Sequence, residues 1–226
     1  FLFENSEEAR AVLDSEVGME ILTSVEEQGL IGLAWFENGF RNVTNSKLPI
    51  EKPEDLQGIK IRTMENPMHM ACFEIMDPTP MAMGEVFTAL QQGTIDAQEN
   101  PVPIIETNKF DEVQDYLSLT GHLYSPTPVF IGKAYFDALP AEYQTAVSEA
   151  AAEAAPYQRE QIDIQNEEGL VALQERGMQV NEPDKAPFQE ATAPIYEQYI
   201  KDEAGCVSPD IYNRVLEVLE EVRAGA

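Results

Sequence analysis

The chain has 226 residues, 43% of them hydrophobic and 24% charged, a composition that excludes a disordered polymer and suffices for one large domain or two small ones around an apolar core. It holds 41 acids against 14 lysines and arginines, a formal net charge of −27, which excludes nucleic acid and anionic lipid as partners and reads as a solubility device spread over solvated helix faces. No run of eighteen apolar residues occurs, so nothing reads as inserting into a membrane.

In chain order, "FLFENSEEARAVL" lacks the basic start and small-residue cleavage site of a signal peptide, so the chain reads as processed or as a fragment. Ser6 with Glu7 and Glu8 reads as a helix cap and acidic first turn, and a second helix is expected from Val17 to Glu27, stopping at Gly29. "LIGLAWF" (30–36) is short, continuous and apolar, the pattern of a buried strand. "ENGF" then reads as a turn and "RNVTNSK" as a polar or edge strand. "KPEDLQG" is expected to be a short helix delivering the strand "IKIR". "NPMHMACFEIM" reads as a helix started by Pro67, and the proline-rich "PTPM" as extended chain. "GEVFTALQQG" is a helix ending at Gly93, "TIDAQ" a strand, "ENP" its exit turn and "VPIIETNKF" another short helix.

"DEVQDYLSLT" looks extended, and "PVFIGKAYF" reads as an apolar strand crossing back. Residues 141 to 176 form an Ala- and Glu-rich helix that Pro156 should kink rather than end. Two amphipathic helices close the chain, near 186–202 and 208–223. The strand–helix rhythm with short connections predicts an α/β fold with a largely parallel sheet. Crossings near 36–42 and 122–128, with the long helix, divide it into two lobes and favour a ligand cleft between them. The boundaries follow as 1–38 with 126–165 for lobe one, 39–125 with 166–195 for lobe two, and 196–226 for C-terminal helices. Lobe one looks thin, with two helices and one strand before the first crossing.

Arg62 draws the eye. It is the only lysine or arginine between Lys60 and Lys109, a span holding seven acids, and it closes a strand, where open α/β sheets bind ligands. Glu99 and Asn100 follow "TIDAQ", and Arg41 opens the segment after "LAWFENGF". A guanidinium fork can hold a carboxylate by two parallel hydrogen bonds, and an Asn amide can add a third. The plainer alternatives are an ion pair of Arg62 with Glu65 or Glu99, and an exposed edge-strand charge at Arg41. His69 and His122 stand singly and far apart, so they read as structural, and no metal site is expected. Glu85, Asp96 and Glu99 could supply the acid–base pair of an α/β enzyme, the rival reading. Trp35, Tyr124 and Phe130 read as core or as walls of a cleft. Met68, Met70, Met81 and Met83 read as packing. Cys72 and Cys206 show no metal-ligand spacing and read as two buried inert thiols or one long-range disulfide.

"LQGIKIRTMENPMHM", "PTPMAMGEVFTALQQGTIDAQENP" and "KFDEVQDYLSLTGHLYSPTPVFI", in that order and spacing, resemble the solute-binding proteins of tripartite ATP-independent periplasmic (TRAP) transporters, dicarboxylate-type branch. "GLAWFENGFRNVTNSKLPI" fits too, and the resemblance runs from Phe1 to about residue 200. It implies a two-lobed periplasmic-binding-protein-like fold with crossing connections. It implies a non-enzymic extracytoplasmic protein that captures a C4-dicarboxylate or related organic acid and hands it to membrane permease subunits. The family's carboxylate-binding Arg in "KIR" falls on Arg62, its "QEN" Asn on Asn100, and the Arg of its "NGxR" motif on Arg41. Met83 stands where many members carry a ligand-packing aromatic, and Tyr124 is a second expected wall of the site. No cofactor is implied. The keto-acid branch, which can hold its ligand through a metal ion, has a Trp near the position of Asn100; its absence here predicts no metal. Relative to the family, a segment before "FLFEN" with the signal peptide and the first elements of lobe one is expected to be missing.

Overall fold

The structure, a computed structural model, describes residues 1–74 and 77–225. The chain falls into two compact units: 1–2, 40–124 and 165–207 form one, and 3–39, 125–164 and 208–226 the other. Two long strands, β1 (Leu30–Asn45) and β5 (Tyr116–Gly132), and the helix α7 (Ala141–Glu175) run through both. β1 and β5 pass from one unit to the other after Gly39 and Tyr124.

The first unit is built on β2 (Lys60–Thr63), β3 (Asp77–Pro80), β4 (Ala97–Pro101) and β6 (Gln179–Asn181) with parts of β1 and β5. The strand order is β3-β2-β4-β1-β5-β6. The sheet is mixed rather than largely parallel: β2 runs parallel to β3 and β4, and β5 to β6, but β1 is antiparallel to β4, with Asn42 opposite Asn100 and Thr44 opposite Gln98. Helices α3 (Pro67–Ala71), α4 (Met83–Gln91), α5 (Val102–Thr107) and α8 (Ala186–Tyr199) pack around it. The last two residues of the expected helix at 66–76, Ile75 and Met76, lie outside the described residues. Val86, Ala89 and Leu90 make the buried face of α4 at helical spacing, and they join Ile95, Ile105, Phe110, Leu117 and Leu173 in one apolar cluster. Val43, Ile50, Ile59, Ile61, Phe73, Ala97 and Phe188 form a second. Fully burying an aliphatic side chain such as Ile61 stabilises by about 1.5–3 kcal/mol. The two clusters thus fix the strands whose ends carry the candidate residues.

The second unit contains α1 (Ser6–Asp14), α2 (Glu16–Thr23), α6 (Lys133–Asp137), most of α7 and α9 (Pro209–Gly225). The cap of α1 is Asn5, not Ser6: its side chain accepts from the Glu8 N–H at 2.9 Å. α2 ends at Thr23, short of Glu27, and a 3-10 turn carries the chain to Gly29. α7 continues through Pro156 without ending. It clamps β1 by polar contacts. Arg10 pairs with the buried Glu37 and with Asp163 at 2.7 Å, while Arg159 donates to Asp14 at 2.6 Å and to the Trp35 carbonyl at 3.0 Å.

Two expected turns are strand instead. "ENGF" does not break β1, which runs on through the strand expected at "RNVTNSK" as far as Asn45, because the polar residues that read as a turn are buried and paired. Glu37 is held by Arg10, Arg41 by Glu99, and Asn42 Oδ1 accepts from the Gly121 N–H at 3.0 Å. Gly39 takes a φ of 88°, open to glycine without a Cβ penalty. "ENP" likewise stays in β4. Cys72 and Cys206 are free and half-buried. Among the described residues no helix is long and apolar enough to cross a membrane.

Candidate functional site

β2 ends with its last three residues buried and brings Arg62 to the edge of the second apolar cluster, 5% exposed. Its Nε donates to the Met81 carbonyl at 2.8 Å, which fixes the plane of the guanidinium. Neither Glu65 nor Glu99, nor any other acid among the described residues, forms an ion pair with it. Burial pushes its pKa down, Arg41 adds to that, and Glu99 works against it. The side chain is thus largely desolvated with no ion-pair partner among the described residues, an unfavourable state for a charge unless an anion completes it.

Arg41 is engaged differently. Strand alternation sends Arg41 and Val43 to one face of β1 and Asn42 and Thr44 to the other. The Arg41 fork closes on Glu99, Nε to Oε2 at 2.5 Å and Nη2 to Oε1 at 2.8 Å, and Nη2 also donates to the Glu99 carbonyl at 2.8 Å and to Asn100 Oδ1 at 2.9 Å. Both side chains are buried, at 5% and 0% exposure. Arg41 is therefore a buried ion-pair partner rather than an exposed edge charge.

Asn100 is oriented from both ends. Its Oδ1 accepts from Arg41, and its Nδ2 donates to Gln98 Oε1 at 2.6 Å and faces the Met83 sulfur at 3.9 Å. A thioether is a weak acceptor, so an incoming carboxylate oxygen would displace it. The amide order is held further back: Gln98 Nε2 donates to Thr44 Oγ1 at 2.8 Å, and Thr44 Oγ1 donates to Gln114 Oε1 at 3.0 Å. Met83 opens α4. Tyr124 is buried, edge-on to Phe40 at 5.2 Å between ring centroids.

The chain's two histidines also converge on Glu99, which sequence spacing did not reveal. His122 Nε2 lies 3.1 Å from Glu99 Oε2, and His69 Nε2 lies 3.4 Å from Oε1 without hydrogen-bond geometry. Burial alone would push the Glu99 carboxyl up, but the hydrogen bond from His122, the nearby His69 ring, the Arg41 hydrogen bonds and the Arg41 charge hold it well below the usual carboxylate range. It is ionised, and an ionised carboxylate only accepts. His122 therefore carries its proton on Nε2, and its Nδ1 accepts from the Thr120 hydroxyl at 2.8 Å. Burial pushes the His122 pKa down more than Glu99 raises it, which favours the neutral ring.

The rival carboxylates do not assemble into an acid–base pair. Glu85 is exposed on α4, and Asp96 pairs with Lys47 at 2.8 Å. A proton-donating carboxyl needs a raised pKa. Glu99 is held low, and at Asp96 burial pushes the pKa up but hydrogen bonds from Lys47 and the Lys60 N–H hold it below its ordinary value.

Residues 1–202 match the family model for bacterial extracellular solute-binding proteins, family 7 (DctP). A solute-binding protein of Verminephrobacter eiseniae is 48% identical over 204 residues, which covers 89% of this chain and 61% of that protein. The 2,3-diketo-L-gulonate-binding periplasmic protein YiaO of Escherichia coli is 42% identical over 206 residues, 89% of this chain and 63% of that one. The crystal structure of a TRAP periplasmic solute-binding protein from a Polaromonas species, bound to D-erythronate, matches with a TM-score of 0.89 at 42% identity, over 97% of this chain and 71% of that one. The chain thus spans about three fifths of the length of these curated relatives.

Proposed function

The chain belongs to the bacterial extracellular solute-binding protein family 7, whose members bind transported substrates rather than turn them over, and from that premise we propose that it captures a small organic acid outside the cytoplasm and delivers it to a TRAP membrane permease. The acid is a hydroxylated monocarboxylate of the sugar-acid type. Arg62 anchors the carboxylate, Asn100 donates to it in place of the Met83 sulfur, and Arg41 acts through Asn100 and Glu99. Met83 and Tyr124 complete the walls.

One observation carries this reading: Arg62 is a buried guanidinium whose terminal nitrogens meet no acid among the described residues. An anion from outside offsets a desolvation cost the fold already bears, and binding is favoured accordingly. The net charge of −27 repels anions at long range, but salt screens that field over about 8 Å, whereas the fork acts at contact. With Arg41 taken by Glu99, one open fork matches one carboxylate. Among the C4-dicarboxylates and related carboxylates that the resemblance implies, the proteins named above as binding 2,3-diketo-L-gulonate and D-erythronate favour hydroxylated monoacids.

The test is a thermal-shift and calorimetric screen of sugar acids and C4-dicarboxylates. A ligand at 100 times its Kd should stabilise the protein by about 2.7 kcal/mol. Arg62→Ala should weaken binding by about 2–5 kcal/mol, and Arg62→Lys should recover only part because the bidentate geometry is gone. Acid binding that survives Arg62→Ala intact would overturn the assignment.

A further inference from the structure

We propose that His69, Glu99 and His122 form a binding site for a divalent transition-metal ion, with zinc the ion that this donor set suits best. The site does not rest on the organic-acid reading. Two imidazoles and one carboxylate are ligands of the type that zinc selects, with bonds of about 2.0–2.2 Å. A tetrahedral ion with such bonds spaces its ligand atoms by about 3.3–3.5 Å. Here His122 Nε2 is 3.1 Å from Glu99 Oε2 and His69 Nε2 is 3.4 Å from Glu99 Oε1, and with one ligand atom from each residue the three lie within 4.8 Å of one another. An ion is reached by small side-chain adjustments. The ligands come from three segments, α3, β4 and β5, held together by the sheet and the second apolar cluster.

A second observation is independent of that spacing. His69 is 4% exposed, yet neither of its ring nitrogens has a hydrogen-bond partner. A buried imidazole with both nitrogens unsatisfied is costly, and its Nε2 points at Glu99, where a metal bond would satisfy it.

The surroundings complete an outer shell. Metal-binding histidines usually donate their other N–H to an oxygen. His122 Nδ1 already contacts Thr120 Oγ1 at 2.8 Å, and the hydroxyl can accept when the ring changes tautomer to release Nε2. The Arg41 fork holds Glu99 from its own side, as ligating carboxylates are held. Phe73 stands edge-on to both imidazoles, with centroids 5.2 and 5.1 Å away. Arg41 also offsets the Glu99 charge, so the ion draws chiefly on two neutral rings. That places the site below thiolate structural zinc sites in affinity and favours zinc over magnesium or calcium, which require oxygen ligands.

The experiment uses untagged protein stripped with a chelator and titrated with Zn2+ in excess Mg2+, which saturates the acidic surface. Because the chain has two histidines, a long-range 1H–15N spectrum shows two imidazoles and reports directly on both ligands. The expected result is one zinc per chain, with both Nε2 signals moving together and Co2+ giving the visible spectrum of a tetrahedral nitrogen–oxygen site. His69→Gln should weaken zinc at least a hundredfold. Thr120→Val, which leaves all three ligands in place, should weaken it about tenfold. Zinc that leaves both imidazole signals in place, or binds His69→Gln or Thr120→Val as it binds the parent, overturns the site. Organic-acid binding is titrated separately, and its loss bears on the organic-acid reading and not on the metal site.

Discussion

Replacing Arg41 by Met removes a guanidinium of 5% exposure from a carboxylate of 0% exposure. Exposed ion pairs contribute about 0–1 kcal/mol, but breaking a buried one leaves an uncompensated charge and costs about 3–5 kcal/mol. His122 still donates to Glu99 after the change, at 3.1 Å, so the lower end, about 3 kcal/mol, is expected. Glu99→Gln should cost a similar amount, because Arg41 then keeps only the neutral Asn100 and Glu99 carbonyl oxygens. The double variant removes both charges and should lose far less than the two singles summed, with a coupling of about 2–3 kcal/mol. Urea denaturation followed by circular dichroism reads this out. At a slope of about 1–3 kcal/mol per molar, each single variant should move the midpoint down by about 1–3 M. A loss under about 1 kcal/mol in Arg41→Met, or strict additivity in the double variant, would refute the claim that the pair is desolvated.

Stability of the chelator-treated protein should fall in two stages on acidification. His122 has a folded pKa below its ordinary 6.5, so the unfolded chain takes up the proton first; its contribution is complete above pH 6.5 and drains away below. Glu99 and Glu8, the latter held down chiefly by its hydrogen bond from Arg223, have folded pKa values below the ordinary 4.5, so a second loss begins as pH falls through that region. Urea midpoints across this range should show the first stage vanish in His122→Gln, and a profile flat from pH 6.5 to the carboxylate region would contradict it. Gly32→Ala should also destabilise, by about 1–3 kcal/mol: its Cβ would lie 2.4 Å from the Leu22 carbonyl oxygen and 2.6 Å from Leu22 Cγ, so β1 must move away from α2. An unchanged melting temperature would show that this contact is loose.

What the sequence made legible was periodic and local. The buried spacing of Val86, Ala89 and Leu90 marked α4, and Asn66–Pro67 marked the start of α3, where the Asn66 side chain accepts from the His69 N–H at 3.0 Å. What stayed hidden was long-range pairing of polar groups. "ENGF" and "ENP" carry turn chemistry by composition, yet both lie in strands, because Glu37 and Glu99 meet arginines 27 and 58 residues away. No local period encodes such a partner. His69 and His122 stay hidden for the same reason: they lie far apart in sequence, on α3 and β5, with no ligand spacing to join them.

The same pairing explains why Arg62 is open. Glu99 is the fully buried acid nearest in chemistry to Arg62, and the sequence reading offered it as the ion-pair partner. In the structure its two oxygens already face Arg41, His122 and His69. Three groups around one carboxylate leave none of it for a second guanidinium. The neighbouring Glu65 does not take its place either. Arg62 thus meets no ion-pair partner among the described residues in a stretch of seven acids, pinned at Nε by Met81. If Glu99 were freed by Arg41→Met, Arg62 would gain an internal competitor, and organic-acid affinity should drop although Arg41 itself touches no ligand atom in this assignment. Calorimetry on Arg41→Met, with Arg41→Met/Glu99→Gln as the control that removes the competitor, distinguishes this indirect route. Recovery of affinity in the double variant supports it, and equal loss in both would mean that Arg41 meets the ligand directly.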